Sequence, residues 1–261
     1  MELKSCPVSG RLPAHVELRH GPRALLGRFF LAADAAARAC GVTLHFAGLQ
    51  DLLAANARHG DTWRPIMPMF DPGLSRVDAR NAFVLLGYDA AGEVVAAQAA
   101  RFYDWRHTTL KDEAYSLRMF YADPQSAVAA GNYCTLATPS AALISGRVVF
   151  SGAGWYRPDF RGKGLAGLLP RISRALAHTM WDTGFTFSMM ADAVISRGFA
   201  ARTGYSKVEH GAADFLLAPI GAFRGAFVWM ETAELLADLD RALSELSAAS
   251  APPALARAGN D

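Results

Sequence analysis

The feature that most restricts this chain is a turn. Arg161-Gly162-Lys163-Gly164 stands between a β-prone run, Val148 to Tyr156, and an apolar helical run from about Leu165 to Trp181. A strand that enters a helix through such a turn is a building unit of α/β folds. Only glycine lets successive backbone N–H groups close on a ligand without a Cβ in the way, and a helix N-terminus presents unpaired amides at the positive end of its dipole. Between Trp155 and Arg174 five basic residues (Arg157, Arg161, Lys163, Arg171, Arg174) face one acid, Asp159. A local balance of 5 − 1 = +4 calls for an anionic ligand, and phosphate suits the geometry.

The rest of the composition gives no competing electrostatic signal. Over 261 residues, 26 Lys+Arg against 24 Asp+Glu leave +2, too little for attraction of the whole chain to nucleic acid or anionic lipid. With 52% hydrophobic and 19% charged residues the chain can bury one or two cores, which excludes disorder for most of it. Cys6, Cys40 and Cys134 are odd in number and have no His or Cys at ligand spacing, so neither a disulfide framework nor a metal site is expected. Met1 to Pro13 carries no apolar core of a signal peptide, and a reducing cytoplasm is the expected location. The longest uncharged stretch, Gln125 to Gly146, is too polar at Gln125, Asn132, Thr135, Pro139 and Ser140 to span a bilayer.

The chain reads as an N-terminal helical extension (1–41), a main domain (42–230) with an irregular insertion (106–146), a C-terminal helix (231–247) and a disordered tail (248–261). Leu26, Phe29, Phe30, Ala33, Ala37 and Cys40 recur at helical spacing between Pro22 and Gly41. Val42 to Ala47 predicts a strand, Leu49 to Arg58 a helix, and Pro65, Pro68, Pro72 and Gly73 a loop that borders a site. Asn81 to Tyr88 and Glu93 to Trp105 predict a hairpin turning at Gly92. Within the insertion only Ser116 to Tyr121 reads as a strand. Gly152 and Gly154 interrupt the strand before the turn, which suggests a bulge. Phe185 to Met190, Tyr205 to Glu209 and Asp214 to Leu217 predict further strands, with a short helix at Ser196 to Thr203. Thr232 to Leu246 sets Leu235, Leu239, Leu243 and Leu246 on one face and acids on the other.

Three phosphate-binding schemes compete for the turn. A P-loop fails, because Arg157 stands where its first glycine belongs and Gly164 where its Ser/Thr belongs. Gly162-Lys163-Gly164-Leu165-Ala166-Gly167 matches G-x-G-x-x-G, with Asp182 about 20 residues on. Yet Arg157 to Arg161, including Pro158, separate those glycines from the strand end, and Asp182 precedes the next strand instead of ending it. In the third scheme Tyr156-x-Pro158-x-x-Arg161-Gly162-Lys163-Gly164-Leu165-Ala166, followed by Arg202-Thr203-Gly204-Tyr205, resembles the GNAT superfamily of acyl-CoA-dependent N-acyltransferases, whose signature here is Arg/Gln-x-x-Gly-x-Gly/Ala.

That resemblance implies an α/β fold with a mixed, splayed sheet and helices on both faces. It implies that acetyl-CoA or another acyl-CoA is a cosubstrate, its pyrophosphate held by amides around Gly162, Lys163, Gly164, Leu165 and Ala166, with Arg161 and Lys163 reinforcing electrostatically. Trp155 and Tyr156 would pair by backbone with the pantetheine arm. The activity implied is acyl transfer to a primary amine by direct attack in a ternary complex; small molecules and peptides remain open as acceptors, as does the oligomeric state. A longer acyl chain is open too. The tyrosine that often donates a proton to the thiolate corresponds to Ala200, the common asparagine to a position around Ala193, and no carboxylate lies in the strand Val148 to Tyr156. Asp192 is the candidate base, its competing role being that of a helix N-terminal cap. The missing groups leave room for a non-catalytic acyl-CoA-binding regulatory module. His107, Glu113 and Asp104 could reach a pocket but read as surface residues; Trp63, Trp105 and Phe120 could line an acceptor site but read as core, and Cys134 as a structural thiol.

Overall fold

A computed structural model describes residues 12–249; Cys6, residues 1–11 and the expected tail from residue 250 onward lie outside the described residues. Eight strands, β1 (Thr43–Ala47), β2 (Ala82–Tyr88), β3 (Val94–Trp105), β4 (Tyr133–Leu136), β5 (Gly146–Tyr156), β6 (Phe185–Ala191), β7 (Lys207–Leu217) and β8 (Gly221–Glu231), form one sheet in the order β1-β2-β3-β5-β6-β8-β7-β4. Every neighbouring pair is antiparallel except β5 with β6. The helices are α1 (Arg23–Ala39), α2 (Leu49–Arg58), α3 (Leu110–Tyr115), α4 (Pro124–Ala129), α5 (Ser140–Leu143), α6 (Leu165–Trp181), α7 (Asp192–Ile195), α8 (Phe199–Arg202) and α9 (Thr232–Ala249).

Side chains alternate across the strands, so the sheet carries two cores. On one face α1, α6 and α9 bury Phe29, Phe30, Leu169, Ile172 and Leu239 against Val95, Val149 and Val228. On the other, α2, the proline-marked loop and the insertion bury Leu52, Ile66, Phe70, Leu110 and Phe120 against Leu86, Phe150, Phe187 and Phe227. Helices therefore cover both faces of a mixed sheet.

The insertion is not irregular. It leaves β3, crosses the second face as α3 and α4, and adds β4 to the far edge, with Tyr133 opposite Leu216 and Leu136 opposite Ala213. Its helices are started by caps: the Thr109 hydroxyl accepts from the Asp112 amide at 3.2 Å, and the Asp123 carboxylate from the Ser126 amide at 3.1 Å, with Pro124 opening the first turn. Elements of four to six residues are too short to show a period. Ser116 to Tyr121 is a turn, not a strand, with Leu117 at φ +60° and the Phe120 amide donating to the Leu117 carbonyl; both apolar side chains reach the core.

Three further expectations change. The helix expected at Ser196 to Thr203 shrinks to α8, entered through Gly198, and a separate short helix, α7, ends at Ile195 before it. The strands expected at Tyr205 to Glu209 and Asp214 to Leu217 are one strand whose pairing slips between Glu209 and Ala213. Strand β8 was not expected: it is buried on both faces from Gly225 to Met230, which erases the alternation that marks a half-exposed strand. On α9, Leu235, Leu239 and Leu243 face the core as their spacing predicts, but the acid Asp238 is buried with them.

The site is made where the sheet comes apart. β5 and β6 pair only from Val148 opposite Phe185 to Phe150 opposite Phe187. Beyond that, two residues of β5, Ala153 and Gly154, stand opposite the single residue Gln98 of β3, and Ala153 sits at φ +54°. This is the bulge expected from the two glycines. It turns β5 away from β6 and opens a gap in the sheet.

Candidate functional site

The glycine turn follows a single 3-10 turn at Pro158–Phe160. Gly162 and Gly164 have φ of +80° and +85°, and a Cβ at either would meet nothing within 4 Å. Glycine is needed here for backbone conformation, not for crowding. Among the described residues no acceptor is supplied to the amides of Gly162, Lys163, Gly164, Leu165 and Ala166; the first turned inward is that of Gly167, to the Gly164 carbonyl at 3.0 Å. Successive free N–H groups at the head of a 17-residue helix make an anion-binding nest. The Cys40 thiol at the end of α1 braces it, donating to the Lys163 carbonyl at 2.9 Å.

The positive charge around the nest is smaller than the sequence count. Arg157 is held by Asp159 at 2.7 and 2.9 Å and by Asp89 at 2.9 Å. Arg171 grips Asp238 at 2.8 and 2.9 Å, and Arg174, fully buried, lies 3.6 Å from the same carboxylate. Arg161 and Lys163 remain as exposed cations. The Arg161 Nε donates to the Tyr156 carbonyl at 3.1 Å, and the Lys163 ammonium sits 4.0 Å above the Phe160 ring.

A cleft of about 600 Å³ passes through the opened sheet, with Arg161, the residue before the nest, on its wall. On the α6 face it is lined by Tyr156, Pro170, Phe199 and Tyr205; on the other by Trp63, Ile66 and Met67 from the proline-marked loop, with Phe215, Ile220 and Phe223 from the β7–β8 hairpin. The Trp155 ring is stacked on His59 (4.6 Å) and Trp63 (4.8 Å, 5° between planes). At the fork between the strands Gln98 Nε2 donates to the Ser151 hydroxyl at 3.2 Å and to the Gly152 carbonyl at 3.0 Å, and the Ser151 and Ser173 hydroxyls are 3.3 Å apart.

Three buried polar groups beside the cleft have no hydrogen-bond partner among the described residues: the Trp155 indole N–H and the Tyr156 and Tyr205 hydroxyls. Buried polar groups in folded proteins are nearly always paired; these three flank the cleft from both faces of the sheet, the Trp155 indole on the Trp63 face and the two phenols on the α6 face. The Tyr205 hydroxyl lies near Ser151, Ser188 and Arg174 without reaching bonding geometry to any of them. Burial raises the Tyr156 phenol well above its ordinary range; it raises Tyr205 too, opposed by the Arg174 guanidinium, 4.6 Å from the ring centre.

The residues singled out from sequence fall into two groups. Trp155, Tyr156 and Arg161 line the cleft, and Gly162 to Ala166 form the nest beside it. Asp192 is exposed, opens α7 without capping it, and is missing from the cleft wall that its neighbours Ala191 and Ala193 join, which moves it from the centre of the site to the rim. Ala200, at the tyrosine position, is buried. Glu113 pairs with Arg118 at 2.7 Å and Asp104 with Arg106 at 3.0 Å; neither these acids nor His107 line the cleft. Trp63 lines it, while Trp105 and Phe120 are core. The Cys134 thiol is buried away from it, its pKa pushed up to about 12 by burial. Tyr205 and Gln98 were missed as site residues. The one signal for Tyr205 is its place directly after Gly204, and Gln98 has none beyond being the amide in an alanine-rich strand. Among the described residues no group of His, Cys, Asp and Glu is placed to hold a metal, and no helix is long and apolar enough to cross a membrane.

No family model matches this chain, and no curated protein matches it by sequence. Solved structures do. RimJ of Mycobacterium smegmatis, in complex with CoA-disulfide, is 16% identical, with 78% of this chain and 90% of that one covered and a TM-score of 0.43. The spermidine/spermine N-acetyltransferase SpeG from Vibrio cholerae is 8% identical over 76% of this chain and 97% of its own, with a TM-score of 0.44. AAC(6')-Ib, in complex with Parmomycin and acetyl-CoA, is 13% identical over 74% of this chain and 95% of its own, with a TM-score of 0.41. At such scores the likenesses carry no weight for the site residues, which stand on the geometry above.

Proposed function

We propose that this protein is an acyl-CoA-dependent N-acyltransferase that moves an acetyl or other acyl group to an amine by direct attack in a ternary complex. The observation that carries this reading is that the nest at Gly162–Ala166 adjoins a cleft running through the sheet between β5 and β6. The nest suits a pyrophosphate, and the edge of β5 freed by the splay suits an extended amide-bearing arm that adds to it as a strand would. An amide on that edge would polarise the thioester carbonyl. Residues 42–230 form the acyltransferase domain, with α1 and α9 packed on it, and the unpaired cysteines Cys40 and Cys134 favour a cytoplasmic location.

The chemistry needs few groups. The amine nitrogen forms a bond to the carbonyl carbon, the C–S bond breaks, and the sulfur leaves with its electron pair. A covalent acyl-enzyme is disfavoured because neither described cysteine lines the cleft: the Cys40 thiol donates to the Lys163 carbonyl, and Cys134 is buried with its thiol protonated. Among the described residues on the cleft wall there is no Asp, Glu or His, so the amine must lose its proton to water, aided by desolvation. The Tyr156 and Tyr205 phenols are the acids on that wall and the candidate proton donors to the thiolate. The same lack of a carboxylate favours a second reading, an acyl-CoA-binding regulatory module without turnover. Calorimetry with CoA and NAD tests the site: CoA should bind in the micromolar range and NAD not at all, and comparable NAD binding would restore the dinucleotide scheme. CoA bound without release of free CoA from acetyl-CoA, across amines, amino acids and peptides, would favour the second reading.

A further inference from the structure

We propose that the acceptor is an amine borne on an aromatic or aliphatic hydrophobic group with no second positive charge, an assignment that rests on the acyltransferase reading. With CoA pyrophosphate on the nest at the head of α6, the arm of the cleft on the opposite face is left for the acceptor. Ile66, Met67, Phe150, Met189, Ile220 and Phe223 wall it, drawn from the proline-marked loop, the two splayed strands and the β7–β8 hairpin. Phe215 and Phe223 stack at 4.5 Å with 10° between their planes, giving that wall a flat aromatic face. Among the described residues, the charged side chains on the cleft wall are both cations, Arg64 and Arg161, and both are exposed.

A polyamine, an aminoglycoside or a lysine-rich peptide would bring several positive charges against apolar walls that offer no carboxylate, at a desolvation cost nothing there offsets. A single amine on a hydrophobic group gains from the same walls by burying its apolar part. The low-polarity surroundings also disfavour its ammonium form, which supplies a neutral nucleophile where no base is present. The charge deficit and the apolar lining thus point to one class of acceptor.

The test is CoA release from acetyl-CoA by the full-length protein with 2-phenylethylamine or spermidine. We expect kcat/KM to favour 2-phenylethylamine by about 10-fold or more, and Phe223→Asp, which supplies the missing counter-charge, to narrow or invert that ratio. Ile220→Asp, at the hairpin end, serves the same purpose should Phe223→Asp fail to fold. A ratio below about 10 overturns the proposal. So does octanoyl-CoA outrunning acetyl-CoA with the two amines alike, which would give the arm to the acyl chain, and so does CoA binding without release for either amine. Absence of CoA binding by calorimetry instead overturns the acyltransferase reading itself, and this assignment falls with it.

Discussion

Removing the carboxylate of Asp238 should damage this protein more than most substitutions on α9. Asp238 is 1% exposed and accepts two bonds from Arg171, at 2.8 and 2.9 Å, and one from Arg241 at 3.0 Å. It is also the carboxylate beside Arg174, which is 0% exposed, has Nε and Nη1 without a hydrogen-bond partner among the described residues, and bonds by Nη2 to the Thr203 carbonyl. Burial pulls the Arg174 pKa down, the sign of a cation held in a dry place. Asp238→Ala leaves that cation uncompensated, a loss of about 3–5 kcal/mol. That is a large part of the roughly 5–15 kcal/mol available to a domain. At about 2–4 °C per kcal/mol for a chain of this size, the melting midpoint should fall by about 6–20 °C in a thermal shift assay. Since the cost is an orphaned charge, Asp238→Ala with Arg174→Met should recover more than half of the loss. A fall of less than about 2 °C in the single variant, or a double variant as unstable as the sum of the two singles, would refute the reasoning.

Two further outcomes concern the site. Gly164→Val should abolish CoA binding, because a β-branched residue at φ +85° is strained and pulls the turn out of the conformation that presents the open amides, whereas Lys163→Ala, removing an exposed charge, should weaken binding by less than about 10-fold; calorimetry giving the reverse order would make side-chain charge the holder. In steady-state kinetics kcat/KM should rise from about pH 6 to about pH 9, because an alkylamine is only about 0.1% neutral at pH 7. From its place on the rim, Asp192→Asn should leave the rate and slope within about twofold, and a flattened profile would restore Asp192 as the base.

What was legible in the sequence was what is decided locally. α2 and α6 have the limits their apolar spacing predicts, and the bulge and the glycine turn stand where Gly152, Gly154, Gly162 and Gly164 put them, because one residue's φ is set by its own side chain. Charge was misjudged because its compensation is distant: Arg157 finds Asp89 68 residues away, and Arg171 finds Asp238 67 residues away, leaving Arg161 and Lys163 exposed from an apparent surplus of +4. The same limit hid the two phenols proposed as proton donors. Reading along the chain, Ala200 marks a lost tyrosine; in the folded protein the segment Thr203-Gly204-Tyr205 serves three structures at once. The Thr203 carbonyl takes the Arg174 guanidinium, Gly204 has no room for a Cβ because the Asp238 carboxylate lies there, and Tyr205 sends its phenol into the cleft wall over Arg174. A glycine that reads as a helix stop is thus also the contact that lets a buried ion pair support a phenol at the fork of the sheet.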